Sequence, residues 1–439
     1  MKRRSFLTLS AGVGAGAALA ACGNDGPSGS GTSGTGGGSA SYWSLSGEPG
    51  QPYRQAAIDR FNKANPDSKI TPTFFQNDAY KAKIKTALGA NQAPTLIWGW
   101  GGGGLKSYVD AGQVEDLTDF FAQNAAAKDK ILPSSFGAAT VNGKIYAMPV
   151  ETVQPIVLFY NKKVFDQVGV TPPQTYGDIL DLIPKFNAKG IAPFSLAGQS
   201  RWTNMMWLEF MLDRQAGSEV FDNVFAGKAG SWSDPAVLDM LTKVQDLVKQ
   251  NAFQKGFAST VADTNADQAL LYTGKAAMMV HGSWSFGIQK ANGGKFVADG
   301  GLGWMNFPPI DGGKGDPTNT VGNPGQYLSL SSKATDADKE TAKKFFSTTL
   351  VDDEEKAGWV KSGGVPVIKG AESLFTGDDA QFLKDMATIA AGAKTFAQSW
   401  DQALSPTAAE VLLDNIAKLF QLQVTPQQWV DNMNGVIGK

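Results

Sequence analysis

Two tryptophans flank a single glycine at Trp98-Gly99-Trp100 and run straight into Gly101, Gly102, Gly103 and Gly104. An indole face is flat and apolar, so a pair on one loop suits a ligand with a flat apolar face, and glycine lets main chain come close to it. The chain holds 11 tryptophans. Trp202 and Trp400 are further stacking candidates, whereas Trp43, flanked by strand residues, reads as core. Polar partners for such a ligand are Glu48, Asn77, Asp78, Glu151, Asn323, Gln326 and Asp401, placed near the ends of predicted strands or the starts of predicted helices. Arg201 and Asn204 stand beside Trp202 in the same kind of position.

Other chemistry finds little to build on. One histidine, His281, and one cysteine, Cys22, leave little for a transition-metal site, and His281 reads as structural at a strand end. Asp263, Asn265 and Asp267 imitate the start of a calcium loop. Gln268 stands where the sixth position needs glycine and Gly274 where the twelfth needs glutamate, so helix capping explains them better. Glu48, Glu151 and Asp401 are the acids a glycoside hydrolase would draw on, yet nothing pairs them at a set spacing. No Gly-x-Ser-x-Gly elbow, catalytic triad or phosphate-binding loop is found, so no catalytic residue, metal or cofactor is expected.

These side chains need a scaffold, and the N-terminal part of the body alternates strand and helix. Strands are predicted at 41–45, 70–75 and 94–100, with intervening helices marked by Ala57, Phe61 and Ala64 and by Tyr80, Ile84 and Leu88. That alternation gives a mostly parallel sheet with helices on its faces, and ligands bind such sheets beyond the C-terminal ends of the strands. The rule selects Ser46 and Glu48, then Gln76, Asn77 and Asp78, then Trp98 and Trp100. Further along, Asn142-Gly143 predicts a tight hairpin, and 155–160 is a continuous apolar strand. Thr175 with Asp178 forms a capping-box signal, while Ser233-Asp234-Pro235, Thr335, Ser405-Pro406 and Thr425-Pro426 open helices.

The N-terminus has its own logic. Lys2-Arg3-Arg4, an apolar run over 6–18 and small residues before Cys22 have the order of a secretory signal, predicted over 1–21. Leu19-Ala20-Ala21-Cys22 resembles a bacterial lipobox, which makes Cys22 the lipidation site. Lys2-Arg3-Arg4-Ser5-Phe6-Leu7 resembles a twin-arginine export signal. The following stretch to residue 40 is rich in Gly, Ser and Thr and reads as a flexible tether. The chain has 39 basic and 41 acidic side chains, and loss of Lys2, Arg3 and Arg4 leaves it more acidic. An acidic body with no basic stripe argues against nucleic acid. The remaining roughly 400 residues exceed what one core usually holds, which favours two lobes.

Several local signatures, in order, resemble the extracellular solute-binding proteins of ABC importers, in the maltose-binding-protein-like carbohydrate family. They are Tyr42-Trp43-Ser44 ahead of a helix closed by Asn65-Pro66, Asn91-Gln92-Ala93-Pro94, and Gly112-Gln113-Val114-Glu115-Asp116-Leu117. Further on come Asn142-Gly143-Lys144-Ile145-Tyr146-Ala147-Met148-Pro149, Phe159-Tyr160-Asn161-Lys162-Lys163-Val164-Phe165, and Thr273-Gly274-Lys275-Ala276-Ala277-Met278-Met279 followed by His281-Gly282-Ser283-Trp284. Thr95 replaces the family's usual aspartate, and Val367 stands where many members carry an arginine facing the ligand.

The resemblance implies an α/β fold of the periplasmic-binding-protein type, two lobes with mixed, mostly parallel sheets joined by crossing hinge strands. Lobe one is placed at 41–152 and 306–360, lobe two at 153–305 and 361–439. It also makes Trp284 the stacking tryptophan. It further implies a lipid-anchored receptor on the outer face of the cytoplasmic membrane. This receptor captures a mono- or oligosaccharide and delivers it to ABC permease subunits, acting as a monomer. The alternatives are a tethered glycoside hydrolase, or the same receptor fold for a non-sugar solute such as glycerol phosphate or a peptide. The candidate loops hold one arginine, Arg201, among tryptophans and amides, a mixture that fits a neutral sugar best.

Overall fold

The computed structural model describes residues 38–439, so the signal, Cys22 and most of the tether lie outside the described residues. Strand Ser39–Leu45 (β1) alternates as a half-buried strand should, burying Ala40, Tyr42 and Ser44. Lys69–Phe75 (β2) and Leu96–Gly99 (β3) pair with it in parallel, reached through helices Gly50–Ala64 and Asn77–Gly89. Thr140–Val141 (β4) and Lys144–Ile145 (β5) form the expected hairpin. Asn142 and Gly143 both take positive φ, 50° and 77°, as a two-residue turn with the right twist requires. The chain then enters Met148–Val150 (β6) and, one residue later, the long strand Thr152–Asn161 (β7), buried along most of its length. The rest are Ala192–Phe194 (β8), Ala276–Gly282 (β9), Leu302–Met305 (β10), Thr320–Asn323 (β11), Gln326–Leu330 (β12), Val365–Pro366 (β13) and Phe396–Gln398 (β14).

They assemble into two larger sheets within one compact unit. The first runs β2-β1-β3-β12-β6; the second runs β14-β11-β7-β9-β8, with β10 and β13 also pairing β7. Each sheet has its own core: Tyr42, Phe61, Leu96 and Phe345 for the first, Leu158, Ile183, Trp207 and Met278 for the second. Five helices start where capping chemistry predicts, whereas the capping expected of Asp263, Asn265 and Asp267 is not made: among the described residues no side chain caps helix Ala266–Tyr272. Thr175 and Asp178 close a reciprocal capping box, Thr425 and Gln428 close another, and Thr335, Asp234 and Ser405 accept from the first turns of their helices.

Two expectations change. The sheets are mixed but not mostly parallel, because β12 runs antiparallel to β3 and β6, and β7 runs antiparallel to β9, β10, β11 and β13. The parallel alternation legible at the N-terminus covers only β1, β2 and β3. The boundary expected at 306 also moves. Phe307, Ile310 and Val321 pack in the second core and β11 pairs β7, so the chain returns to the first sheet only between Asn323 and Gln326. Another direct crossing is Glu151, where φ is +64°, an uncommon conformation for a side chain of this size, and a third lies just before Val365, where the chain rejoins the second sheet through β13.

Candidate functional site

Two of the crossings meet in register: Gln326 pairs Val150 on one side and Asn323 pairs Gln154 on the other. A cavity of about 310 Å³ opens beside them, walled by loops from both sheets. The first-sheet wall carries Glu48, Asn77, Trp98 and Trp100; the second carries Trp202, His281 and Trp284; the crossings supply Glu151, Asn323 and Gln326. Ten of the twelve expected binding residues line it, the tenth being Asp401.

Geometry gives these residues different jobs. Trp98 is only 2% exposed, donates its Nε1–H to Glu151 Oε1 at 2.6 Å and stands edge-on to Trp100 at 4.7 Å. Lys81 Nζ lies 4.9 Å from the centre of the Trp100 ring and 3.3 Å from Asp401, whose carboxylate also accepts from Gln402 at 2.7 Å. Glu151 is held twice by Arg54, through Nε at 2.7 Å and Nη2 at 2.6 Å, so its oxygens are engaged before any ligand arrives. Burial disfavours the Arg54 charge, but Glu151 first, with Tyr42 and Glu355, holds the guanidinium above its ordinary value. Arg54 also donates to Leu45 O and lies 5.3 Å from the Trp98 ring, which ties the end of β1 to the crossing.

Trp202 and Trp284 are freer. Their rings stand 6.2 Å apart at 46°, half-buried and facing the cavity. Around them lie buried polar atoms that find no hydrogen-bond partner among the described residues: Trp202 Nε1, His281 Nε2, Asn323 Oδ1 and Gln326 Nε2. Buried polar groups are almost always paired, so such orphans along a cavity wall point to groups that a ligand or water satisfies.

Two expected residues do not reach the cavity. Trp400 is 2% exposed and stacks on Phe221 at 4.7 Å in the second core, because the inner face of the short helix Trp400–Ala403 covers that core while the next residue, Asp401, faces the cavity. Asp78 is exposed and sits outside the cavity wall. Its N–H donates to Asp263 Oδ2 at 3.1 Å and its carboxylate accepts from Ser200 at 3.4 Å, joining the Asn77–Gly89 helix to loops of the second sheet. Burial raises the Asp263 carboxyl above its ordinary value. Arg201 pairs with Glu410 at 2.9 Å and the Asn204 amide donates to Gly198 O at 3.3 Å, so neither lines the cavity.

The glycine run serves packing rather than ligand approach. A Cβ at Gly101 would overlap Ala138 O, and one at Gly103 would overlap Ala403 O and Leu404 O, so the start of helix Gly102–Asp110 is a seat for main chain from elsewhere in the fold. Val367, at the expected arginine position, is buried in the first core and donates its N–H to Glu151 O at 2.9 Å. Thr95 is absorbed by reciprocal bonds with Ser41. Sequence reading missed Arg54 and Trp359. Both sit inside helices whose pattern marks them as ordinary surface or core, and no local signal separates them.

Two mixed sheets with separate cores, linked by short crossings beside one cavity, define a two-lobed binding protein. Residues 43–357 match the bacterial extracellular solute-binding protein family, and the chain belongs to it. A solved structure from work on xylan utilization by the thermophilic bacterium Caldanaerobius polysaccharolyticus is 33% identical, over 91% of this chain and all of that one, with a TM-score of 0.80. The xylose/arabinose-binding protein XacG of Haloferax volcanii is 25% identical over 61% of this chain but only 58% of its own length. An sn-glycerol-3-phosphate-binding periplasmic protein of Shigella flexneri is 25% identical over 76% of this chain and 75% of its own. Among the described residues no helix is long and apolar enough to cross a membrane.

Proposed function

We propose that this protein is the sugar-capturing receptor of an ABC importer, exported and held at the outer face of the cytoplasmic membrane by lipidated Cys22. It holds a neutral mono- or oligosaccharide between its lobes as a monomer and delivers it to permease subunits. Lobe one comprises the first sheet up to Val150 and again from Gln326; lobe two comprises the second sheet, with Glu151 and the 323–326 segment as hinges. One observation carries the ligand class. The cavity offers two free indole faces and orphaned donors and acceptors at Trp202 Nε1, Asn323 Oδ1 and Gln326 Nε2, while its lining cations are already paired, Arg54 with Glu151 and Lys81 with Asp401. Ring faces and hydroxyls suit that lining; an anion would need a free cation. The glycerol phosphate reading therefore has no matching charge here, despite the relative that binds it.

The hydrolase reading loses its acids to the same pairing, since Glu151 and Asp401 are both committed and Glu48 is exposed at the lip. Ser285, His281 and Asp267 line up like a triad, but Ser285 is fully sealed from the cavity and cannot act as a nucleophile on its contents. The test is thermal stability of the full chain against D-xylose, L-arabinose, xylotriose, maltotriose and glycerol 3-phosphate. A bound ligand at about 100 times its Kd stabilises the fold by about 2.7 kcal/mol. A shift with a sugar that Trp202→Ala and Trp284→Ala each weaken by about 30-fold supports the reading. A shift with glycerol 3-phosphate alone overturns it.

A further inference from the structure

Behind the two free tryptophans lies a buried polar cluster, reaching the cavity wall at His281, that ligand stacking alone does not explain. His281 Nδ1 is 2.6 Å from Ser285 Oγ, while Nε2 stands 3.7 Å from Asp267 Oδ2, beyond hydrogen-bond reach. His281 Nε2 and Asp267 Oδ1 are both without a partner among the described residues, at residue exposures of 2% and 1%. The imidazole meets both cavity tryptophans edge to face, Trp202 at 5.5 Å and Trp284 at 5.2 Å. Any movement of that ring is felt by both stacking faces.

We propose that His281 is the positioning residue of the tryptophan pair and that Asp267 controls it by gaining or losing a proton. With Asp267 neutral, the ring stays where both indoles receive the ligand. When Asp267 ionises, the bare carboxylate draws Nε2–H across the gap and turns the ring away from the indoles. This rests on the cavity being the sugar site.

One further titratable group is near: Asp263, whose carboxyl burial also raises, stands on the turn Ala262–Thr264 packed against the start of the Asp267 helix and accepts from Asp78 N–H. Asp267 lies on helix Ala266–Tyr272 beside uncharged Gln268; His281 comes from β9; Ser285 and Gln289 come from helix Ser285–Asn292; Trp202 comes from helix Trp202–Ala216. Among the described residues His281 is the one basic group within ion-pair distance of Asp267. Burial raises the Asp267 carboxyl to about 7 against main-chain hydrogen bonds, and burial lowers His281 to about 4. The imidazole is thus uncharged around neutrality and the carboxyl is the group that switches. A ligand that needs both indoles in place favours the neutral form of Asp267, so affinity falls as pH rises through this range.

The chain has a single histidine, so labelling with ¹⁵N-histidine gives one imidazole to follow in the full-length protein. Calorimetry with the sugar panel above is run from about pH 6 to about pH 8.5 on the wild type, Asp267→Asn and His281→Gln, the span that brackets the carboxyl's titration. The expected result has three parts: an Nε2 resonance inflecting with Asp267, a wild-type Kd weakening by about tenfold for each unit by which ligand raises that carboxyl, and a flat profile in either variant. A sugar that binds the wild type equally at both ends of the range overturns the proposal, as does an Asp267→Asn or His281→Gln protein that keeps the wild-type slope. Where one variant does not fold, the other and the wild-type resonance decide. Absence of heat with every sugar, by contrast, fails the receptor reading itself and takes this proposal with it.

Discussion

Replacing Glu151 by glutamine removes one charge from the most heavily used side chain of the crossing. Glu151 binds Arg54 through two bonds of 2.7 and 2.6 Å and accepts from Trp98 at 2.6 Å, with side-chain exposures of 4% for Glu151 and 9% for Arg54. A glutamine keeps an acceptor for the indole but leaves a buried guanidinium without a counter-charge, a loss of about 3–5 kcal/mol. Replacing both partners, as Arg54→Met with Glu151→Gln, removes the uncompensated charge, so the double variant should recover most of the loss. Denaturant midpoints at a fixed slope give the three free energies. A Glu151→Gln protein within about 1 kcal/mol of the wild type would refute the reasoning, because exposed pairs cost no more than that. A double variant no better than the worse single would refute it too, since the cost would then lie in packing rather than charge.

Glu209 offers a second check. It is 1% exposed, accepts from Trp400 N–H at 2.6 Å, and burial raises its carboxyl to about 8. The folded state therefore holds a proton that the unfolded chain has lost, so stability is full below the ordinary carboxylate range and declines as pH rises towards about 8. His281, lowered to about 4, removes stability in the other direction as pH falls below the ordinary imidazole range. Thermal midpoints should peak on the acid side of neutrality, and Glu209→Gln should flatten the alkaline limb; an unchanged limb counts against the assignment. Helix-start glycines supply a third. Gly104→Ala meets nothing within 4 Å and should stabilise by about 0.5–1 kcal/mol, whereas Gly103→Ala meets main chain at 403 and 404 and should destabilise; equal effects on the denaturation midpoint would contradict the packing.

Local rules settled much of the fold before any tertiary contact was considered. The hairpin at Asn142-Gly143, the capping box at Thr175, the helix start at Thr425-Pro426 and the β1 to β3 alternation depend on φ preferences, side-chain-to-backbone bonds and periodicity within a few residues. The strand-end rule likewise brought Ser46, Glu48, Gln76, Asn77, Trp98 and Trp100 of the cavity wall into view, because a side chain just past a strand sits at the sheet's edge wherever that sheet goes. Position within a turn was beyond it. Trp400 faces a core and Asp401 the cavity, although they are neighbours, because the short helix docks by one face. Gly102 and Gly103 looked like room for ligand and proved to be room for main chain some 300 residues later in the sequence.

Partnership was the other thing that only assembly decided. Glu151 looked like a free acceptor until the fold brought Arg54, 97 residues away in sequence, into a two-bond grip on it. His281 looked like a plain strand-end residue until it was wedged between Ser285, Asp267 and two tryptophans. Sequence by itself determined which chemical groups this protein carries and which elements present them, since those follow from short-range geometry. Tertiary structure decided which groups remain free to meet a ligand, because pairing a buried charge or filling a core depends on contacts that no local pattern encodes.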